Sequence, residues 1–488
     1  MDIKKIHENP PYGMIAILFI GAFAALLNNT LLNIALPTIM TEFSVSPSKV
    51  QWVTTSYMLV NGILIPASAF FIQRFTNRSI FLWAMGLFTL GTLVSMIAPS
   101  FFVLIVGRML QASGSGLMMP LLMNVILIAF PVERRGTAMG IFGLVMFVAP
   151  AIGPTLSGWI IEHYSWRTLF AIILPFGILA FAYAAFRLKN ITPNREIKLD
   201  ILSIILSSIG FGGLLYGFSS VADSGWGSFH VYGTIIIGAI CLVIFVLHQM
   251  KLKEPMLDFR IYKYPMFALS SVISVTISAS MFSGMLLTPL YIQTVREISP
   301  FHSGILMLPG AILMGIMSPI TGRLFDKFGA RTLAITGLTI LTVCTYMLSD
   351  LTMEDSYFYL MALYTIRMFG MSLVMMPVMT NGLNELPMRA NPHGTAMNNT
   401  LQQVSGAIGS AIILTIMTVR SNNAGVELSQ EVASGELITK YSIEHLALLE
   451  GINFSFFIST IFAVVALILA LFIKRPVVPS QEVTFEKA

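Results

Sequence analysis

Fourteen apolar runs of about 20 residues or more succeed one another along the chain, separated by short polar stretches. Runs of that length without regular charge predict membrane-spanning helices. They fall near 13–36, 50–72, 79–98, 102–129, 137–161, 166–186, 200–220, 230–250, 265–291, 302–324, 331–350, 357–383, 395–419 and 451–473. The first run, containing Asn28 and Asn29, is too long for a signal-peptide core and reads as a retained span. The pattern predicts an all-α polytopic membrane protein.

Composition agrees. Of 488 residues, 56% are hydrophobic and 10% charged, against about 25% charged in a soluble domain. The net charge of +5 is therefore no nucleic-acid footprint, and its placement is what informs. With the N-terminus inside, the inner segments hold 21 of the 28 lysines and arginines and the outer loops five. That split predicts both termini in the cytoplasm and the loop 420–450 outside. The remaining two, Arg108 and Arg367, sit within spans. An arginine at mid-membrane costs roughly 2.5–3.5 kcal/mol on insertion scales, so each is expected to line a cavity or hold a partner. A buried arginine bonding backbone carbonyls is the alternative for Arg108.

The two arginines belong to an internal repeat. R-M-L-Q-A-S-G-S-G-L-M-M-P-L-L-M-N from Arg108 matches R-M-F-G-M-S-L-V-M-M-P-V-M-T-N from Arg367. P-A-S-A-F-F-I-Q-R-F-T-N-R from Pro66 matches P-I-T-G-R-L-F-D-K-F-G-A-R from Pro319, and G-T-A-M recurs at Gly136 and Gly394. Each G-T-A-M is followed by A-I-G, and the offsets of the three matches are 253, 258 and 256 residues. The expected division is a six-helix half over 1–186, two inserted helices within 187–264, a second half over 265–473 and a tail over 474–488. Two such halves around a midplane cavity is a recurrent transporter plan.

These motifs resemble the major facilitator superfamily, and within it the fourteen-span drug:proton antiporters of the lincomycin-resistance branch. The first-helix pattern stands as L-N-N-T-L-L-N-I-A-L-P from Leu27 to Pro37, and Q-W-V-T-T-S-Y from Gln51 is similar to the start of the family's second helix. The loop signature falls on Ala69–Arg78, degenerate in having Gln73 and Thr76 where the family has Asp and Gly. The resemblance implies gating roles for Gln73, Arg74 and Arg78, and for Gly322, Arg323, Asp326, Gly329 and Arg331 in the second half. It also implies an antiporter motif at Gly143, Pro150, Gly153, Pro154 and Gly158. Prolines four apart remove helix hydrogen bonds and glycines admit a close neighbour, so this face is expected to seal the halves together.

The expected cavity residues are Asn28, Asn29, Asn33, Arg108, Gln111, Asn124, Arg367, Asn381, Asn398, Asn399, Gln402 and Gln403. Asn28 stands where the family often has a titratable aspartate, and none of the 23 acidic residues falls near a midplane. Arginine and amides without a carboxylate favour neutral or anionic amphiphiles. The expected function is export of amphiphilic small molecules across a bacterial cytoplasmic membrane, by a monomer, in exchange for protons. Metabolite uptake on the same fold and a non-transporting sensor or scaffold are the alternatives. No catalytic cluster, metal-ligand spacing or phosphate-binding loop stands in the sequence, so neither an enzyme nor a cofactor is expected.

Overall fold

In the computed structural model, residues 10–45, 47–50, 52–188, 190, 200–434 and 441–475 are described. Gln51 and the tail beyond Arg475 lie outside them, as do the side chains of Asn33, Pro150 and Pro154. The long helices of the first half are α1 (Tyr12–Glu42), α2 (Trp52–Arg74), α3 (Asn77–Met96), α4 (Phe101–Ala129), α5 (Val132–His163) and α6 (Arg167–Arg187). The inserted pair is α7 (Ile201–Ser219) and α8 (Phe229–Lys251). The second half holds α9 (Pro265–Leu290), α10 (Pro300–Phe328), α11 (Ala330–Met347), α12 (Tyr357–Ser372), α13 (Met375–Asn384), α14 (Asn391–Ser434) and α15 (Ile443–Ala470).

Among the described residues, thirteen helical stretches are long and apolar enough to cross a membrane, with α12 and α13 forming one of them. Helix α5 is a further 32-residue helix, about 48 Å long at 1.5 Å per residue. No strand occurs among the described residues. Backbone groups in lipid must be satisfied within their own segment, which is why uncharged runs of this length become helices.

Two boundaries differ from the sequence expectation. The run at 395–419 belongs to a 44-residue helix, α14, so part of the expected loop 420–450 is helical. At about 66 Å it exceeds a hydrocarbon core of about 30 Å twofold. The polar continuation from Ser421 is helical beside α15, where Arg420 bonds Glu427 and Glu450. The run at 357–383 is broken between Ser372 and Met375.

The halves meet along two seams, α5 against α10 and α2 against α14. Helix α7 packs on both α2 and α14, and α8 packs on α7, so the inserted pair lies outside the second seam and touches both halves there. Its helices are clasped by Asp200 and His248, 2.6 Å apart. Burial alone would raise the Asp200 carboxyl, but hydrogen bonds from Ser203 and His248 hold it below its ordinary value.

The ends of the bundle differ in character. At one, which we term the basic end, α2–α3, α4–α5, α10–α11 and α13–α14 connect through short loops, with Arg389 in the last and Arg74, Arg78, Arg134 and Arg331 in the helix turns beside the others. At the other, Glu42 bonds the Trp166 indole and Arg167, each at 2.6 Å. Burial would raise the Glu42 carboxyl, but these two partners keep it lowered.

Candidate functional site

The polar interior is built on α4, whose Arg108 is fully buried. A charge taken out of water needs partners for each of its donors. Arg108 Nε donates to the Val53 carbonyl at 3.2 Å, Nη1 to Gln111 Oε1 at 2.9 Å and Nη2 to Asn29 Oδ1 at 3.4 Å. Its guanidinium lies over the Tyr57 ring, 4.1 Å from the centroid. Gln111, one turn further on, exchanges hydrogen bonds with Asn28 and donates to Thr92 Oγ1 at 2.8 Å. Tyr57 donates to Ser115 Oγ at 2.7 Å, which donates to Asn61 Oδ1 at 2.9 Å.

In front of this network lies a cavity of about 100 Å³ between α1, α2, α4, α5 and α14. Its polar wall is Asn29, Tyr57, Asn61, Ser115, Asn399, Gln402 and Gln403, and its apolar wall includes Met118, Met119 and Met146. No charged side chain is among the lining residues. Amides and hydroxyls can each donate or accept, and unbranched methionines re-pack around ligands of different shape. Such a wall can meet ligands of different shape and of either hydrogen-bonding sense.

The structure thus divides the residues singled out in the sequence. Asn29, Asn399, Gln402 and Gln403 line the cavity. Arg108, Gln111 and Asn28 stand one layer behind it and fix its wall. Asn398 is buried on α14 outside the lining. Asn124 is buried, and neither its amide oxygen nor its nitrogen has a hydrogen-bond partner among the described residues. Asn381 donates to the Lys474 carbonyl at the basic end.

Arg367 is also fully buried, but its partners are the Ser280 carbonyl at 2.5 Å and Thr345 Oγ1 at 3.2 Å. The guanidinium occupies the space that Gly284, lacking a side chain, leaves on α9. It is therefore a tie between α9, α11 and α12 rather than a cavity charge. Tyr57, Asn61 and Ser115 were not singled out as cavity residues. Tyr57 closes the Q-W-V-T-T-S-Y segment, and Ser115 lies one turn beyond Gln111 on the arginine helix, so both carried a signal in position.

At the basic end, the seam between α5 and α10 is held by a carboxylate. Asp326 Oδ1 accepts from the Gly136 N–H at 2.9 Å, and Oδ2 from the Thr137 N–H at 2.9 Å and its hydroxyl at 2.8 Å. The helix backbones nearly touch there. A Cβ on Gly322 would collide with the Gly136 carbonyl, and one on Gly136 would lie 2.6 Å from the Gly322 carbonyl. Arg135 Nη1 donates to Asn384 Oδ1 across the halves at 3.2 Å. Gly329 has φ +80°, the left-handed backbone the turn into α11 requires. Arg74, Arg78, Arg323 and Arg331 are exposed, and Arg78 ties back to the Ala185 carbonyl. Of the proline–glycine segment, Gly143 abuts Ser318 and Met376 across the seam, Gly153 abuts Thr30 of α1, and Gly158 faces open space. The close approach thus begins at Gly136 and runs through Gly140 to Gly143, ahead of the prolines.

Residues 18–410 match the family model described as the Major Facilitator Superfamily. The chain belongs to the major facilitator superfamily. It is 47% identical to the uncharacterised MFS-type transporter YhcA of Bacillus subtilis, over 96% of this chain and 94% of that one. It is 42% identical to the lincomycin resistance protein LmrB of Listeria monocytogenes, over 95% of this chain and 97% of that one. The human organic anion transporter MFSD10 shares the fold, with TM-score 0.67 over 94% of this chain and 99% of that chain, at 13% identity. The superfamily's two-bundle plan accounts for the two seams and for a cavity where α14 meets the first half.

Proposed function

We propose that this chain exports amphiphilic small molecules, neutral or anionic rather than cationic, by alternating access in exchange for protons. The observation that carries the reading is the uncharged amide, hydroxyl and methionine wall of the cavity between the halves. The resistance protein among its relatives supports a drug-like substrate. A cationic ligand held there would meet no carboxylate, and an unpaired charge in such a place is costly. The Asp326, Arg135 and Gln73 contacts hold the halves together at the basic end, which fits a form closed toward that side. The experiment is uptake of a neutral amphiphile into inverted vesicles. An imposed inside-acid pH gradient is expected to accelerate it severalfold over vesicles lacking the protein. Uptake indifferent to the gradient would remove proton exchange, and absence of uptake would favour a scaffold.

We place the basic end in the cytoplasm of a bacterial cell, with α5 as the fourteenth span and both termini inside. A cysteine at Ser429 is then expected to react with an impermeant maleimide on intact cells, and one at Glu254 only after permeabilisation. The reverse pattern would invert the orientation.

A further inference from the structure

The internal repeat places a second latch opposite the Asp326 latch. The loop match sets Gln73 at the position of Asp326, and the G-T-A-M match sets His393 at the position of Arg135, just before Gly136. The structure keeps both cross-half contacts. Asp326 of the second half reaches the start of α5 in the first. Gln73 of the first half reaches the start of α14 in the second, where its amide lies 3.1 Å from His393 Nε2. One latch is held by a carboxylate, the other by a neutral amide on a histidine that is 7% exposed.

His393 is held on its other face too. Its Nδ1 accepts from the Asp258 N–H at 3.2 Å, in the segment that joins the inserted pair to α9. A neutral ring accepting at Nδ1 carries its hydrogen on Nε2, and it meets the Gln73 amide when that amide turns its oxygen to the ring, giving up the 3.0 Å bond its nitrogen donates to the Ala69 carbonyl. The neutral form therefore joins both halves and the inserted segment. A protonated ring carries hydrogen on both nitrogens, and Nδ1–H would then oppose the Asp258 N–H, donor against donor.

The surroundings add to that conflict. His393 and Gln73 border a cavity of about 400 Å³ at the basic end. The inserted segment contributes Lys253, Arg260 and Lys263 to it, and the loop before α14 contributes Arg389. Two carboxylates face it, Glu254 and Asp258, together with the Tyr264 phenol. The Asp258 carboxylate already accepts from the Arg260 N–H at 3.0 Å and lies 3.9 Å from the Arg260 guanidinium. From α2 the group facing the ring is the Gln73 amide, which brings no charge. Four cations against two carboxylates leave the cavity positive, so a further cation at His393 is repelled.

We propose that the Gln73–His393–Asp258 junction is a latch released by protonation of His393, which frees the basic end to open. Histidine is the side chain whose charge ordinarily changes between about pH 5 and about pH 8. The meaning of the latch rests on the alternating-access reading above, but its test needs no transport. The full-length chain, with Cys241→Ser and Cys344→Ser, receives spin labels at Phe75→Cys and Phe328→Cys, exposed positions on opposite halves at the basic end. In lipid nanodiscs without substrate, the longer-distance population is expected to grow severalfold as pH falls from about 8 to about 5.

His393→Gln, neutral throughout, is expected to keep the short distance at both pH values. Gln73→Glu offers the protonated ring a carboxylate partner and is expected to cancel or reverse the acid response. A wild-type response retained in His393→Gln would overturn the proposal, as would a wild-type pair that ignores pH. Should His393→Gln fail to fold, Gln73→Glu decides alone, and an acid opening like that of the wild type overturns it. Loss of export with the distance response intact would count against the functional reading and leave the latch standing.

Discussion

Arg108→Ala is expected to lower export by about 100-fold while the protein remains folded in the membrane. The guanidinium does not touch the cavity. It holds the two groups that do, Asn29 through Nη2 and Tyr57 through its ring face. Hydrogen bonds to charged groups contribute about 1.5–3 kcal/mol each, and two lost constraints on the wall come to about 3 kcal/mol, two decades in rate. Arg108→Lys is expected to recover little, because one ammonium cannot serve the Val53 carbonyl, Gln111 and Asn29 from the places a planar fork reaches. Arg367→Ala is expected to be milder for export and to act on stability, since its partners lie within the second half. Export rates in vesicles, normalised to membrane-inserted protein and its melting temperature, separate these outcomes. An Arg108→Ala protein missing from the membrane would make the guanidinium a folding element and no more.

Asp326→Asn is the second large effect. The carboxylate accepts three hydrogen bonds across the seam with two oxygens. An amide keeps one oxygen and presents an NH₂ to donors at the other position. The loss is about 3 kcal/mol of closing energy, a shift of about 100-fold toward the form open at the basic end. Turnover is expected to fall at least tenfold, and a cysteine introduced at Ser318, buried in the same seam against Gly143, is expected to react with maleimide from the basic side far faster than in the Ser318→Cys parent. Gln73→Asp is expected to change turnover less, because that latch already works without a charge. Equal and negligible effects of the two substitutions would mean that these loops only orient the chain in the membrane.

The spans were legible because lipid permits few alternatives: long uncharged runs become helices, and basic residues mark one side of the bundle. The repeat was legible for the same reason, since matched arginines within spans are rare enough to align two halves. The end of α14 was not, because hydropathy falls at Ser421 where the helix does not. Within the site, the amides of α1 and α14 stood out as polar residues in apolar runs, and Asn29, Asn399, Gln402 and Gln403 do line the cavity. Tyr57, Asn61 and Ser115 did not, since single hydroxyls and amides within spans commonly bond their own helix backbone. Arg108 and Arg367 read alike in sequence. Only their partners tell them apart, Asn29 and Tyr57 beside the cavity for one and the Ser280 carbonyl on α9 for the other. Likewise, Asp326 was legible as an acceptor, but its donors on Gly136 and Thr137 lie 190 and 189 residues away and required the fold.

The most direct test of the uncharged cavity is a charge placed in its wall. Asn28 faces Gln111 behind the lining, so Asn29 is the position to change. Uptake into inverted vesicles under an imposed pH gradient is measured for a neutral amphiphile, an organic anion and a permanent dication, in the wild type and in Asn29→Asp. The expected result is wild-type transport of the first two with little of the dication, and an Asn29→Asp protein that gains the dication at the expense of the anion. Strong wild-type transport of the dication, unchanged by Asn29→Asp, would contradict it.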